Sequence, residues 1–362
     1  MRLLLALVSG VVTLLLCELL AQLFLSDDLM NREQFNTFSY HVGEGYELIP
    51  NSEEEHTGYT VRINSFGYRD REFPKLKPAG TTRIVVVGDS VPFGSGVNVE
   101  ATFPKQLEVK LKSGGRKNIE VINGGNPDTG LKELLRIFSK RDVAVSPDIA
   151  LVCFYMNDSR PPMGFRSEFV GGSWVVRFVR GNPWVRRSML VSFMYSQYYQ
   201  WGVSREFKML PISRRMEWHE LFKKAPWQDN PAILNEMIET AQFDWGAAWR
   251  DDTWPEVKDH LKVLDRLCRQ NNIRPALLAM PVKIQVYASV QRHEPQKALA
   301  KIAGELGWPY LDVLPGLIKA KDDPGLFTDH CHFSPRGHTI VSESIQEFLY
   351  QSGLLKRSVP SP

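Results

Sequence analysis

The sequence predicts an α/β protein built on a three-layer, mostly parallel sheet. Five short apolar runs, each long enough for one buried strand, recur from residue 83 onward: RIVVVG, NIEVIN, DIALVCFY, RPALLAM and PYLDVL. Segments with helical periodicity separate most of these runs. Apolar strands that alternate with helices are typical of a parallel sheet covered on both faces.

Three of the intervening helices have recognisable starts. Thr102 precedes FPKQLEVKLK and Thr253 precedes WPEVKDHLKVLDRLCRQ, so each threonine is a candidate N-cap. Pro335 leads a last helix that is expected to continue to Leu349, because proline is favoured in the first helical turn.

Bulk composition excludes some classes of protein. The chain has 362 residues, 43% of them hydrophobic and 23% charged, which is ordinary for a globular protein and unlike a disordered one. A net charge of +3 gives no reason to expect an obligate acidic partner. Its four cysteines show no paired spacing, so no disulfide framework is indicated.

The N-terminus is expected to be a membrane anchor. Leu3 to Leu25 is almost entirely apolar and long enough to cross a bilayer, although Glu18 inside it is costly and suggests a shortened span or a partner helix. No small-x-small site follows, which favours an uncleaved anchor over the alternative of a cleaved signal peptide. Arg2 before the run, with Asp27 and Asp28 after it, predicts that the bulk of the chain lies on the extracytoplasmic side, periplasmic or extracellular.

A tryptophan-rich insertion interrupts the α/β pattern, since eight of the nine tryptophans lie between Trp174 and Trp254. It is expected to be mainly helical, either as a cap over the active site, a surface against the membrane interface, or an ordinary small helical subdomain. The predicted segments are an anchor or signal at 1–26, a β-rich lead-in at 27–80, the first part of the core at 81–162, the insertion at 163–253 and the second part of the core at 254–355.

Ser90 is the first candidate for chemistry. It follows the strand RIVVV directly, as part of Gly88-Asp89-Ser90, and ligands of open α/β sheets collect outside the carboxyl ends of the strands. A turn alone could explain a small polar residue here. A serine hydroxyl also becomes a good nucleophile only when a base takes its proton.

The stretch FTDHCHFSPRGH supplies that base. Asp329 and His332 are three positions apart just before the last helix, so the carboxylate can orient the imidazole and leave its other nitrogen for Ser90. His330 competes for this role, whereas His338 is expected to be structural.

A metal site formed by His330, Cys331 and His332 is disfavoured, because adjacent residues in a short loop seldom converge on one ion. We therefore expect no metal and no cofactor.

Two further strand ends carry candidate oxyanion donors. Gly125 follows the second strand, where a glycine lets a backbone N–H approach a substrate closely, and Asn157 follows the third with a side-chain amide. Each alone is an ordinary turn residue. Together, however, these residues favour a catalytic interpretation. They occur along the chain in the order serine, glycine, asparagine and aspartate-histidine, and each stands at a strand end or just before the last helix.

These blocks resemble the SGNH, or GDSL-type, hydrolase family. The matching residues are Gly88-Asp89-Ser90 with Phe93-Gly94 and Gly96-Val97, then Asn123 to Gly125, Asn157-Asp158, and Asp329-x-x-His332 continuing to His338. Tyr155 departs from the pattern, because the family often has glycine there, and we expect it to restrict the approach of substrate. Gly125 rather than Gly124 is taken as the oxyanion glycine by its spacing from Asn123.

The resemblance implies a flavodoxin-like α/β/α fold, with Ser90 as nucleophile, His332 as base and Asp329 as its orienter. It also implies an oxyanion hole formed by the N–H groups of Ser90 and Gly125 and by Asn157.

The expected function is that of a membrane-anchored serine esterase that acts on an acylated or acetylated lipid or glycan and has no nucleic-acid partner. Two alternatives stay open. One is an O-acetyltransferase acting on an envelope polysaccharide, and the other is a non-catalytic envelope binding module. Transfer and hydrolysis differ only in whether a sugar hydroxyl or water meets the acyl-enzyme, and the sequence does not decide between them.

Overall fold

The computed structural model describes residues 2–24, 39–42, 45–127, 129–159, 221–223, 226–242 and 244–357, together with scattered positions between 178 and 198. Two antiparallel hairpins precede the core: β1 (Ser39–Val42) pairs with β2 (Gly45–Leu48), and β3 (Glu53–His56) pairs with β4 (Tyr59–Arg62). The lead-in is therefore β-rich in its described part, as the sequence predicts.

The five apolar runs form one parallel sheet. Its strands are β5 (Thr82–Gly88), β6 (Ile119–Gly125), β7 (Ile149–Tyr155), β8 (Arg274–Met280) and β9 (Tyr310–Asp312), in the spatial order β6-β5-β7-β8-β9. Every residue of β7 is buried, which explains why its sequence is apolar without alternation. The strand order is the flavodoxin-like one, so the predicted fold class is confirmed for the core.

Helices cover both faces of this sheet. In chain order, the α-helices of the described residues are α1 (Arg2–Phe24), α2 (Ser90–Phe93), α3 (Phe103–Ser113), α4 (Leu131–Ile137), α5 (Pro231–Thr240), α6 (Trp254–Gln270), α7 (Lys283–Tyr287), α8 (Glu294–Leu306), α9 (Leu314–Ile318) and α10 (Pro335–Gln351). Apolar residues of α3 and α10 pack with one face of β7, and those of α4, α6 and α8 pack with the other. These two apolar layers form the core of the three-layer domain.

The threonines predicted as N-caps hold the right positions but do not cap. The Thr102 hydroxyl donates to the carbonyl oxygen of Val99 at 2.6 Å, and the N–H of Phe103 donates instead to Nδ1 of His338 at 3.1 Å. Thr253 likewise donates its hydroxyl to a carbonyl in the preceding turn. A buried imidazole thus satisfies the start of α3, which local sequence cannot indicate.

The last helix begins at Pro335, as predicted, and continues to Gln351, two residues beyond the expected end. Its N-cap is Ser334, whose Oγ accepts a hydrogen bond from the N–H of Gly337 at 3.2 Å. Hence the short loop before α10, which carries Asp329 and His332, is fixed where it enters the helix.

The N-terminal helix α1 coincides with the predicted anchor at 1–26. Within the residues described, no helix meets the combined length and hydropathy of a membrane span. The transmembrane part of the prediction is therefore not confirmed. Most of the insertion at 163–253 lies outside the described residues, and its described part includes helix α5.

Candidate active site

Ser90 begins α2, directly beyond the carboxyl end of β5. Asp89 caps this short helix, since its Oδ1 accepts a hydrogen bond from the N–H of Val91 at 2.9 Å. A Cβ at Gly88 would lie 2.6 Å from Cγ of Pro92 and 2.9 Å from the carbonyl oxygen of Cys153. Only glycine fits that position, so the Gly-Asp pair is explained by the turn that presents the Ser90 hydroxyl.

Three predicted side chains form a continuous hydrogen-bonded chain. Nε2 of His332 lies 2.9 Å from Oγ of Ser90, and Nδ1 of His332 lies 2.6 Å from Oδ2 of Asp329. The other carboxylate oxygen of Asp329, Oδ1, accepts hydrogen bonds from the backbone N–H groups of Cys331 and His332, both at 2.7 Å. This geometry holds the imidazole with one nitrogen on the carboxylate and the other on the serine.

The pKa values of Asp329 and His332 are shifted in directions that favour a charged carboxylate beside a basic imidazole. Burial raises the pKa of the Asp329 carboxyl, but hydrogen bonds and charge from His332 outweigh it and bring that pKa below its ordinary value. Burial lowers the pKa of His332, whereas the hydrogen bond and charge of Asp329 raise it more, so the net shift is upward. The Asp329 side chain is 44% exposed, so solvent screens the attraction between the two groups.

The predicted oxyanion hole is only partly brought together. The N–H of Gly125 donates to Oδ1 of Asn123 at 3.1 Å and so is not free for a substrate. A Cβ on Gly125 would lie 2.1 Å from the backbone nitrogen of Phe93, so its glycine is required by the close approach of α2. The structure thus does not support the predicted role of Gly125 and explains this residue by packing.

The N–H of Ser90 also has an internal acceptor. Burial raises the pKa of the Asp89 carboxyl, and the hydrogen bonds that it accepts from Val91 and from Ser90 oppose that rise. Asn157 lies in the 3₁₀ turn Met156–Ser159 that follows β7, at the same sheet edge as Ser90. The side-chain oxygen Oδ1 of Asn157 is buried and has no hydrogen-bond partner among the described residues.

The neighbours of Asn157 are unusually buried for polar groups. Burial raises the pKa of the Asp158 carboxyl well above its ordinary value, and the charge of Asp89 raises it further. Tyr155 is 2% exposed, and within the described residues its hydroxyl has no hydrogen-bond partner. Tyr155 thus occupies buried space at the carboxyl end of β7, where the resemblance leads one to expect glycine.

The other histidines of this region take no part in the chain from Asp329 to Ser90. His338 is buried, accepts the N–H of Phe103, and has its pKa lowered to about 3 by burial, which keeps it neutral. This matches the structural role predicted for it. The ligand atoms of Asp329, His330 and Cys331 lie within 4.8 Å of one another, but both oxygens of Asp329 are already bound as described above.

Residues of the lead-in support the site, and sequence reasoning missed them. Arg69, fully buried, donates to the carbonyl oxygens of Phe93, Gly94, Val97 and Thr60 at 2.6–3.0 Å. It thereby holds the loop that follows Ser90.

The next residue of the lead-in, Asp70, supports the second strand of the site. Its Oδ2 accepts the N–H of Asn123 in β6 at 2.9 Å. The stretch RINSFGYRD carried no recognisable signal for these contacts, because they join segments that are distant in the chain.

Together the flavodoxin-like sheet and the linked serine, histidine and aspartate define an α/β protein with a Ser-His-Asp arrangement at the carboxyl edge of its sheet. No family model matches the chain, and no curated protein matches it.

The solved structures with some similarity to this chain include the following three. A lipolytic protein of the G-D-S-L family from Desulfitobacterium hafniense is 17% identical, with a TM-score of 0.39 over 74% of this chain and 100% of that one. Axe2, an acetylxylan esterase from Geobacillus stearothermophilus, is 13% identical, with a TM-score of 0.41 over 76% and 96%. TesA is 11% identical, with a TM-score of 0.43 over 75% and 99%. At such low values the likeness carries no functional argument, and function must be inferred from the site itself.

Proposed function

We propose that this protein is a serine esterase of the SGNH type that cleaves a carboxylic ester through an acyl-enzyme. The observation that carries the proposal is the hydrogen-bonded chain from Asp329 through His332 to Ser90. A purely structural role would not require a serine at a strand end to face a histidine whose pKa is raised by the hydrogen bond and charge of an aspartate.

In the proposed reaction, the Ser90 hydroxyl attacks the ester carbonyl while Nε2 of His332 takes its proton. The Asp329 carboxylate holds the imidazole in the required tautomer and stabilises the imidazolium. The side-chain amide of Asn157 stabilises the negative charge that develops on the carbonyl oxygen. His332 then protonates the leaving alcohol, and water releases the acyl group by the reverse sequence of proton transfers.

We also propose that α1 attaches the protein to a membrane with its catalytic domain on the extracytoplasmic side. The support is the sequence: an apolar run of this length, preceded by Arg2 and followed by Asp27 and Asp28. An ester carried by an envelope lipid or glycan would be a substrate available at that location.

The esterase proposal is tested with Ser90→Ala in the full chain. We expect loss of hydrolysis of a short-chain aryl ester and loss of labelling by a fluorophosphonate probe, which reacts with activated serines. Ser95→Ala is the matched control, since this second serine of the same loop lies outside the hydrogen-bonded chain and should leave both signals intact. Undiminished hydrolysis or labelling in folded Ser90→Ala would overturn the proposal.

A further inference from the structure

One carboxylate of α1 is bound by the tryptophan-rich insertion. Glu18 accepts hydrogen bonds from the hydroxyl of Ser188 at 2.6 Å and from the N–H groups of Met189 and Leu190 at 2.9 and 3.0 Å. The N–H of Val191 donates to Oγ of Ser188 at 3.1 Å, which marks Ser188 as the start of a helical turn. Glu18 is therefore a second, charged cap on a turn that lies 170 positions away in the chain.

The contact between Glu18 and the turn at 188–191 stabilises two groups that would otherwise be unfavourable: the unpaired N–H groups at the start of a helix and a carboxylate among apolar side chains. The first N–H groups of a helix have no partners within the helix, and a negative charge near them is stabilising. An isolated carboxylate among apolar side chains is costly unless hydrogen-bond donors surround it. The charge that makes Glu18 unexpected in an apolar helix is thus accounted for by the insertion.

The surroundings of this contact are strongly apolar. Ten leucines and valines between Leu5 and Leu23 are 49–67% exposed, and they cover most of the circumference of α1. On the face of Glu18, by contrast, Ala21 is buried. In the insertion, Met194 is 61% exposed just beyond the capped turn. A protein partner would cover the apolar side chains on one side of such a helix, whereas lipid would cover them on several sides. The distribution of these side chains therefore favours a bilayer as the surroundings of α1.

The charge pattern of the sequence agrees with a lipid surface. From Gly171 to Ser204 the chain has four arginines and no acidic residue or lysine, and aromatic residues are interspersed among them. Arginine and tryptophan are favoured where apolar side chains enter a membrane beside anionic headgroups.

We propose that Glu18 fastens the turn at 188–191 to α1 and that this turn and Met194 lie at the lipid interface beside this helix. The proposal goes beyond the esterase chemistry and rests only on the proposed attachment of α1 to a membrane. The far end of the same insertion, Trp245–Trp249, packs against the turn Met156–Ser159 that carries Asn157. The insertion therefore connects the membrane-facing helix with the active-site edge of the sheet.

The experiment uses the full chain with vesicles of phosphatidylethanolamine and phosphatidylglycerol. A fluorophore sensitive to its surroundings is attached to Met194→Cys in a Cys17→Ser background, because the other three cysteines are buried. We expect a blue shift on vesicle binding and quenching by a lipid-soluble quencher. Glu18→Leu should lose most of both signals while the protein still floats with the vesicles.

Thr13→Val is the matched control, since the Thr13 hydroxyl donates within α1 to the carbonyl oxygen of Ser9. It should keep the full signal at position 194. An absent blue shift in the parent, or an unchanged one in Glu18→Leu, overturns the proposal, and failure to float overturns the membrane attachment on which it rests. Hydrolysis of an aryl ester in detergent, measured on the same samples, tests the esterase separately.

Discussion

Nε2 of His332 lies 2.9 Å from Oγ of Ser90, although 242 positions separate the two residues in the chain. Ser90 follows the interior strand β5, and His332 lies in the loop that enters α10. The carboxyl ends of the parallel strands share one edge of the sheet, where Ser90 stands, and the hydrogen bond places the loop of His332 at that same edge. The fold itself therefore supplies the contact on which the proposed chemistry depends.

The pH dependence of hydrolysis should report the contact between His332 and Asp329. Only neutral His332 can accept a proton, so kcat/KM should rise with pH through a pKa above the ordinary value of histidine. Asp329→Asn removes the hydrogen bond and charge that raise this pKa and leaves burial, which lowers it. We expect the acidic limb of the profile to move to lower pH and kcat to fall by about 10³- to 10⁴-fold. An unmoved limb would contradict the assigned partnership.

Asn157 should be the oxyanion donor that matters most. Asn157→Ala removes an amide that the developing negative charge requires, and we expect kcat to fall about 100-fold or more with little change in KM. Asn157→Asp, which keeps the shape but replaces the donor with a carboxylate, should lose as much. Steady-state kinetics on an aryl ester decide this, with thermal unfolding as the check on folding. A loss of only a few-fold in both variants would exclude the role.

The core of the fold was predictable because local sequence determines it. Strands such as β7 are buried on both faces, so their apolar runs are visible without any knowledge of their neighbours. The Ser90, Asp329 and His332 set was also predictable, because its residues stand at a strand end and in one short loop. In both cases the signal lies within a few consecutive residues.

The oxyanion glycine and the supporting arginine were not predictable in the same way. A glycine required for the approach of a substrate cannot be distinguished in sequence from one required for the approach of a helix. Gly125 is required for the approach of helix α2, because a Cβ on it would lie 2.1 Å from the backbone nitrogen of Phe93. Arg69 acts through four carbonyl oxygens, three of them in the loop after Ser90. Such contacts depend on the packing of distant segments.

Gly125→Ala tests the packing explanation directly. Alanine keeps the backbone N–H, but its Cβ would lie 2.1 Å from the nitrogen of Phe93 and displace the helix that carries Ser90. We expect a loss of several kcal/mol in the free energy of unfolding, on the order of an overpacked core site or more, together with loss of fluorophosphonate labelling.

Gly304→Ala is the control for the glycine substitution, because a Cβ at Gly304 in helix α8 meets nothing within 4 Å. It should stabilise the protein by up to about 1 kcal/mol, since alanine is the better helix former. Denaturant unfolding and probe labelling measure both variants. A Gly125→Ala protein with native stability and labelling would show that the space is not as tight as the structure indicates.

Tyr155 should limit the length of the acyl group. Strand β5 pairs with β7 up to Val87 and Val152, and Tyr155 is the last residue of β7, at the same edge of the sheet where Ser90 follows β5. The side chain of Tyr155 packs in the same apolar layer as Val91. Its phenol is buried at this edge of the sheet, where a small residue would leave room for carbon atoms of a substrate.

We expect Tyr155→Ala to raise kcat/KM for a hexanoyl ester relative to an acetyl ester by about tenfold or more, since each buried methylene is worth roughly 1 kcal/mol or more. The native protein should prefer the acetyl ester. Tyr155→Phe keeps the ring and should keep that preference; it should also be at least as stable, because the buried hydroxyl that it removes has no partner among the described residues. Because the alanine variant loses about 3–5 kcal/mol of core packing, its folding is verified by thermal unfolding before the comparison. If the three proteins share one chain-length profile, Tyr155 does not shape the acyl site.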